Sequence, residues 1–181
     1  VVVTAELRRT SLLEQAASTS VLDAELMRRR NAVHLEDLLQ VAPNINLSGG
    51  SSRARFYQVR GVGERSQFVE PLNPSVGLLI DNIDFSGLGT GAALFDMDQV
   101  EILRGPQGTL HGANALAGLI NMRSAAPQDE FGARLYSGIG DYGRRELGAS
   151  VTGPIADDTL MYRIAAFTHR SDGFMENAHL D

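Results

Sequence analysis

Two segments near the end of the chain show a period of two in their side chains, strict in the first and less regular in the second. In residues 146–152, Leu, Ala and Val occupy the odd positions and Glu, Gly, Ser and Thr the even ones. In residues 160–167, Leu, Tyr, Ile and Ala occupy the even positions. A period of two places alternate residues on opposite faces of a β-strand. These segments, with a weaker one over residues 134–139, predict three amphipathic antiparallel strands joined by short turns.

The length of these strands is compatible with two environments. Each spans about ten residues, which is the length that a tilted strand needs to cross a membrane. Hairpins in soluble sheets show the same alternation, so the pattern alone leaves a membrane wall and a soluble sheet both open.

Composition excludes several classes of protein. The chain has 181 residues, and 16 Lys and Arg against 22 Asp and Glu give a formal net charge of −6. A nucleic-acid-binding domain would carry clustered cationic surface, so we expect no nucleic-acid partner. The chain has no Cys, which excludes disulfide frameworks and cysteine metal sites. Neither end looks like a natural terminus, so we expect the chain to be part of a longer protein.

The first two-thirds of the chain predict a mixture of short helices and strands. Asp23 is a good N-cap for a helix over residues 24–29. Leucines at helical spacing within residues 35–39 predict a second short helix. The apolar runs at residues 76–80 and 100–104 predict buried strands. This part of the chain is therefore expected to be α+β.

Residues 100–123 carry the most specific motif. They read VEILRGPQGTLHGANALAGLINMR, which closely resembles the signature of TonB-dependent outer-membrane receptors, V-E-x-L-R-G-P-x-x-x-L-Y-G-x-x-A-x-G-G-x-I-N. Further motifs of that family precede it in the family's order. They are VVVTA at residues 1–5, LLQVAPNI at residues 38–45, VRG at residues 59–61 and LIDNI at residues 79–83.

Some positions depart from the family pattern. Asn44 and Asn82 stand where glycine is common, and His111 stands where the family usually has Tyr or Phe. Leu116 and Ala117 are bulkier than the usual small residue and Gly. These departures leave the resemblance intact but put the local turn geometry in doubt.

The resemblance implies an α+β plug domain, a small mixed sheet with short helices, followed by antiparallel β-strands that begin a transmembrane β-barrel. The implied parts are a TonB box and periplasmic linker at residues 1–8, a plug at 9–128 and the first barrel strands at 129–181. The family's barrel has about 22 strands, so the barrel would be incomplete in this chain. The implied location is the outer membrane of a Gram-negative bacterium, with a periplasmic N-terminus.

The function implied by the resemblance is active transport of a scarce nutrient, most often a ferric siderophore, with no enzymatic activity and no cofactor. Ligand bound outside would signal through the plug to the TonB box. The implied partners are periplasmic TonB, the lipid around the barrel strands and the small-molecule ligand. A soluble plug-like binding or signalling module without a barrel is the alternative.

The predicted TonB-binding residues are Val1, Val2, Val3, Thr4 and Ala5. This segment is rich in β-branched residues and suits an extended strand. A strand with a free edge can add to the sheet of a partner. Pairing of the same strand within the chain is the alternative.

Arg60, Glu101 and Arg104 are the predicted contact between plug and barrel. Each arginine ends a predicted strand before a glycine, and the resemblance implies that both face the barrel wall and pair with barrel glutamates. A buried guanidinium needs such a carboxylate partner. A local pair of Glu101 with Arg104, at three-residue spacing, is the alternative.

Two loops are predicted to contact ligand. Because strands alternate in direction, the loops that follow the Ile45 and Ile80 strands, at residues 49–53 and 86–93, should emerge on the same outward side. Arginines near the first loop could attract an anionic ligand. The predicted ligand-binding residues are Arg53, Arg55, Ser86, Leu88 and Thr90. The long loop over residues 61–74 should open on the opposite, periplasmic side.

Patterns typical of enzymes are incomplete in this chain. Gly61 and Gly63 lack the third glycine of a dinucleotide-binding loop, because Ser66 stands at that position. Residues 105–112 have the glycine spacing of a phosphate-binding loop, but Ala-Asn follows where Lys-Ser or Lys-Thr is required. The four histidines are dispersed and lack ligand spacing. The sequence therefore supports no catalytic residues and no metal site.

Overall fold

The computed structural model describes residues 2–3, 10–12, 14, 17–49, 54–66, 71–88, 92–156 and 159–173. The chain divides into two compact units, Val1–Ala125 and Ala126–Asp181; the sequence places this boundary after residue 128. Among the described residues, no helix is long and apolar enough to cross a membrane.

Short strands dominate both units. In chain order the first unit contains β1 (Val2–Val3), β2 (Thr10–Ser11), β3 (Ser18–Asp23), α1 (Ala24–Arg29), α2 (Leu35–Leu39), β4 (Ile45–Ser48), β5 (Phe56–Val59), β6 (Val76–Ile80), β7 (Ile83–Asp84), β8 (Met97–Arg104), α3 (Gly108–His111) and β9 (Gly118–Ser124). The second unit contains β10 (Gly132–Ile139), β11 (Arg145–Ala156) and β12 (Leu160–Arg170). The α+β composition expected of the first unit is confirmed.

A five-stranded mixed sheet forms the centre of the first unit, in the order β3-β8-β9-β6-β7. β6 and β9 run parallel, and the other neighbours run antiparallel. Residues 99–104 of β8 and 118–122 of β9 are all buried. Strands buried on both faces read as continuous apolar runs, which is why the sequence predicted them. Two separate antiparallel pairs, β1 with β2 and β4 with β5, complete the unit.

Both predicted helices form, each with a defined N-terminal cap. The Asp23 carboxylate accepts a hydrogen bond from the Leu26 N–H at 2.8 Å, as predicted for the start of α1. At the start of α2, the His34 Nδ1 accepts from the Glu36 N–H at 3.4 Å. The Asp37 carboxylate in turn accepts from the His34 N–H at 3.0 Å. This reciprocal arrangement is a capping box, with histidine in the place usually held by Ser or Thr.

The central sheet buries apolar side chains on both faces. The larger cluster joins one face to α1 and α2 and includes Leu35, Leu38 and Ile102. We call the opposite face the small face. Its cluster of buried residues is Val3, Leu79, Leu103, Ala115 and Leu119. Because successive residues of a strand point to opposite faces, Ile102 and Leu103 belong to different clusters.

Two asparagines keep the turn geometry that the departures from the family pattern put in doubt. Asn44 and Asn82 have φ values of 60° and 66°, in the left-handed region that glycine enters most easily. Asparagine is one of the few other residues that adopt this conformation readily. Asp81, at 49°, precedes Asn82, so both central residues of the β6–β7 turn have the positive φ of a type I′ turn.

The second unit is an antiparallel sheet in the order β10-β11-β12, which confirms the three predicted strands. The register places Leu147 opposite Ser137 and Thr168, and Ala149 opposite Leu135 and Ala166. The odd residues of β11 therefore share one face with apolar residues of both neighbours. On that face Leu135 and Leu147 are 76% and 53% exposed. The three strands do not close into a barrel.

Candidate functional site

The N-terminal strand lies on the small face of the central sheet. β1 pairs antiparallel with β2. The Val3 side chain is 1% exposed and packs with Leu103 and Leu119. The Gln99 Nε2 donates a hydrogen bond to the Val2 carbonyl oxygen at 3.1 Å. One edge and one face of β1 are therefore bound to the rest of the first unit.

The five predicted TonB-binding residues differ in how far the structure describes them. Val2 is exposed and Val3 is buried, as expected when alternate side chains of a strand point in opposite directions. Val1, Thr4 and Ala5 lie outside the described residues. Pairing with β2 is the alternative that the sequence left open, and TonB binding by this segment stays a prediction.

Arg104 is held inside the first unit by neutral partners. Its side chain is mostly buried, and its Nε donates to the Pro43 carbonyl oxygen at 3.0 Å. Its terminal nitrogens donate to the hydroxyls of Ser18 at 3.4 Å and Ser20 at 2.5 Å. Burial, followed by the positive charge of Arg60, lowers the pKa of Arg104, but an arginine remains protonated. Within the described residues this charge therefore has no carboxylate partner.

The local pair of Glu101 with Arg104 does not form, because residues three apart on a strand point to opposite faces. Glu101 is fully buried on the small face. There the Asn121 Nδ2 donates to one carboxylate oxygen at 3.1 Å, and the Gln99 Nε2 donates to the other. The structure therefore separates Glu101 from the two arginines and places it beneath β1.

Arg60 lies at the tip of a tight turn. Val59 and Val62 exchange backbone hydrogen bonds of 2.9 and 3.0 Å across it. Arg60 and Gly61 have φ values of 53° and 81°, as a type I′ turn requires. The left-handed conformation costs an ordinary residue about 1–2 kcal/mol. This strained turn holds the exposed Arg60 side chain close enough to Arg104 for its charge to act there.

Arg55, which follows the first predicted ligand loop, contacts the second loop. The Arg55 Nε donates to the Gly87 carbonyl oxygen at 3.0 Å, and its guanidinium carbon lies 5.7 Å from the centre of the Phe56 ring. Ser86 is fixed by its hydroxyl, which accepts from the Leu78 N–H at 3.0 Å. Leu88 is exposed.

The second predicted ligand loop does not directly follow the Ile80 strand, as the sequence had suggested. The chain reverses at Asp81 and Asn82, so residues 86–88 follow β7 rather than β6. Residues 86–88 lie near Arg55 through the hydrogen bond between Arg55 and Gly87. Arg53 and Thr90 lie outside the described residues.

A buried carboxylate in the second unit was not predicted. Glu146 accepts hydrogen bonds from the Tyr136 hydroxyl at 2.8 Å, the Arg144 Nε at 2.9 Å and the His169 Nδ1 at 2.9 Å. Its side chain is 1% exposed. The cluster links all three strands on the polar face of the sheet. The sequence signal for this site was Glu146 itself, a charged residue among the small and polar residues on one face of β11. Its partners could be identified only from the strand register.

A mixed sheet with short capped helices, joined to an amphipathic antiparallel sheet, defines a plug domain with attached wall strands. Residues 11–119 match the TonB-dependent Receptor Plug Domain family. The chain belongs to that family.

Two curated relatives cover most of this chain. The pesticin receptor of Yersinia pestis is 29% identical over 161 residues, which cover 88% of this chain and 24% of that protein. The vitamin B12 transporter BtuB of Vibrio vulnificus is 27% identical over 176 residues, which cover 96% of this chain and 28% of that protein. The chain therefore spans about a quarter of the length of these relatives, which are a receptor and a transporter rather than enzymes.

Solved structures show the same fold. The ferric yersiniabactin uptake receptor FyuA from Yersinia pestis has a TM-score of 0.69 and 29% identity, covering 83% of this chain and 24% of that one. The pyoverdine outer membrane receptor FpvA from Pseudomonas aeruginosa has a TM-score of 0.80 and 21% identity, covering 96% and 25%. The predicted plug fold followed by wall strands is confirmed. The predicted outer-membrane location agrees with these receptors.

Proposed function

We propose that the chain is the plug and first wall strands of a TonB-dependent outer-membrane receptor that imports a scarce nutrient, such as a ferric siderophore. The match of residues 11–119 to the plug family is the observation that carries this proposal. The relatives are named for different ligands, among them yersiniabactin, pyoverdine and vitamin B12. A ferric siderophore is therefore the expected ligand class, and vitamin B12 is the competing one.

The apolar face of the second unit supports a place in a membrane wall. Its strands have 8, 12 and 11 residues, close to the length that a tilted membrane strand needs. Leu135, Leu147 and Ile164 on that face are each more than half exposed. Contiguous apolar surface of this kind is unusual in water. Lipid is the proposed partner of this face, and the N-terminus is periplasmic.

The N-terminal segment is the proposed binding element for TonB. Val2 and Val3 already adopt the extended conformation that strand addition requires. Val3 is held in a pocket on the small face, so a partner that uses both faces of the strand must first release it. Energy transmitted through TonB would then act directly on the central strands of the plug.

The arginine pair is the proposed contact between plug and barrel. Arg104 has only neutral partners among the described residues, and Arg60 adds a second positive charge nearby. A buried, unpaired cation is costly, so carboxylates supplied by the rest of the barrel would stabilise both. Glu101 is not part of this contact and instead supports the surface beneath β1.

The loop surface around Arg55 is the proposed ligand contact. Arg55, Ser86 and Leu88 present a cation, a hydroxyl-bearing turn and an exposed apolar side chain near one another. This combination suits a ligand with anionic and apolar parts. Arg53 and Thr90 are proposed to contribute from the same loops.

Uptake by cells that express the full-length protein tests the proposal. Radiolabelled ferric yersiniabactin, ferripyoverdine and vitamin B12 are supplied to cells with and without TonB. We expect accumulation of one of them that requires both the protein and TonB. Recovery of the full-length protein in the soluble fraction, or uptake that does not depend on TonB, would contradict the proposal and favour the soluble module.

A further inference from the structure

Glu36, in the first turn of α2, contacts the end of the first predicted ligand loop. Its Oε1 accepts a hydrogen bond from the backbone N–H of Ala54, the residue that follows loop residues 50–53. Ala54 is fully buried. A buried N–H requires an acceptor, and here a carboxylate supplies it. Glu36 therefore fixes the point at which this loop returns to the plug.

The second loop returns to the same turn of the chain. Two backbone hydrogen bonds of 2.9 Å each join residues 33–35 to residues 92–94, on either side of a bridge between His34 and Ala93. The cap of α2 therefore holds the second loop by main-chain bonds, while the Glu36 side chain holds the first. Ala54 and residues 92–94 are therefore both attached at the start of α2.

The environment of Glu36 strengthens its hold on the loop. The side chain is 20% exposed, and a hydrogen bond to a charged acceptor in a mostly buried site is stronger than one between neutral groups. Burial, followed by the negative charge of Glu36, raises the pKa of the buried Tyr57. The Glu36 carboxylate therefore lies close enough to the buried Tyr57 for its charge to act there.

We propose that Glu36 is a positioning residue for ligand recognition. By holding Ala54 against the turn that also binds residues 92–94, it fixes Arg55 and residues 86–88 in one surface. With Glu36 bound to Ala54, the adjacent Arg55 contacts Gly87 of the second loop. This inference rests on the proposed function, because it assigns ligand binding to those loops.

A distance measurement tests the inference without any ligand. Spin labels are attached to cysteines that replace the exposed residues Leu47 and Leu88 in the full-length protein, with any cysteine outside this chain removed. We expect one narrow distance distribution in the parent protein and a distribution at least about twice as broad for Glu36→Ala, since the bond to Ala54 is lost. Glu36→Gln keeps an acceptor oxygen and should remain close to the parent.

Glu25 offers a matched control, because it lies in the first turn of α1 and its one ion pair among the described residues is with the exposed Arg29. Glu25→Ala should leave the distribution unchanged. A narrow, unshifted distribution in a folded Glu36→Ala protein would overturn the inference. Equal broadening by Glu25→Ala would overturn it too.

Binding of ferric yersiniabactin, ferripyoverdine and vitamin B12 supplies the second readout. For a probe that the parent binds, Glu36→Ala should weaken binding about tenfold, as loss of a charge-assisted hydrogen bond predicts, and Glu36→Gln should restore most of it. Unchanged affinity in Glu36→Ala would contradict the inference. If the parent binds none of the probes, the proposed function fails, and the distance measurement alone decides whether Glu36 positions the loops.

Discussion

The docking of the N-terminal strand depends on one buried side chain. Val3→Ala removes two carbon atoms from a residue that is 1% exposed. At about 0.8 kcal/mol for each buried CH₂ group, with a small additional cavity cost, the docked state should lose about 1.5–2 kcal/mol. That loss corresponds to about a 10- to 30-fold increase in the population of the released strand. The hydrogen bond from Gln99 to the Val2 carbonyl is left in place.

Hydrogen exchange of the N-terminal peptide measures this release in the full-length protein. Protection of the amides that join β1 to β2 should fall about 10- to 30-fold in Val3→Ala. Val2→Ala is the matched control, because it makes the same chemical change on the exposed side of the same strand, and it should change protection less than about threefold. Equal effects of the two substitutions, or no effect of Val3→Ala, would refute the docking of β1 through the Val3 pocket.

Three further substitutions test other parts of the account. Asn82→Val should lower the free energy of unfolding by about 1–2 kcal/mol because valine resists the left-handed conformation. Asn82→Gly should change it by no more than about 0.5 kcal/mol, and thermal unfolding of both variants measures the difference. Burial alone would raise the pKa of Asp84, but hydrogen bonds from Ser86 and Asn114 lower it. The ionised carboxylate therefore stabilises the fold at pH values above its unfolded pKa, and this stabilisation is lost as the pH falls below about 4. In Asp84→Asn, the free energy of unfolding should therefore decrease less steeply as the pH falls through this range. Glu146→Leu leaves the partly exposed donors of Tyr136, Arg144 and His169 without their carboxylate and should cost about 1–3 kcal/mol, seen as a lower temperature of barrel unfolding on electrophoresis; an unchanged temperature would contradict a structural role for the cluster.

Local patterns were sufficient to predict most of the elements. Asp23 predicted the start of α1 because an N-cap is a contact within four residues of the chain. The alternation in residues 146–152 predicted a strand with one apolar face because side-chain direction in a strand has a fixed period. The fold followed from the ordered family motifs, since the elements alone are compatible with several sheet orders.

Contacts between distant residues could not be predicted in this way. The three-residue spacing suggested that Glu101 pairs with Arg104. The two side chains instead point to opposite faces of β8, and the strand register places Asn121 opposite Glu101 as its hydrogen-bond partner. The fully buried residues of the pocket for Val3 lie about 75 to 115 positions away, and no local pattern reports them. The contact of Arg55 with Gly87 likewise spans loops that only the folded chain brings together.

Disulfide crosslinking to TonB tests the central claim most directly. A cysteine replaces Val2 in the full-length protein, in cells that carry TonB variants with single cysteines and are importing ligand. A second protein with cysteine at Leu72, which is 93% exposed, provides the control for accessibility alone. We predict a crosslink from position 2 that increases with ligand, and none from position 72. Absence of a crosslink at position 2 in cells that are importing ligand would contradict the account.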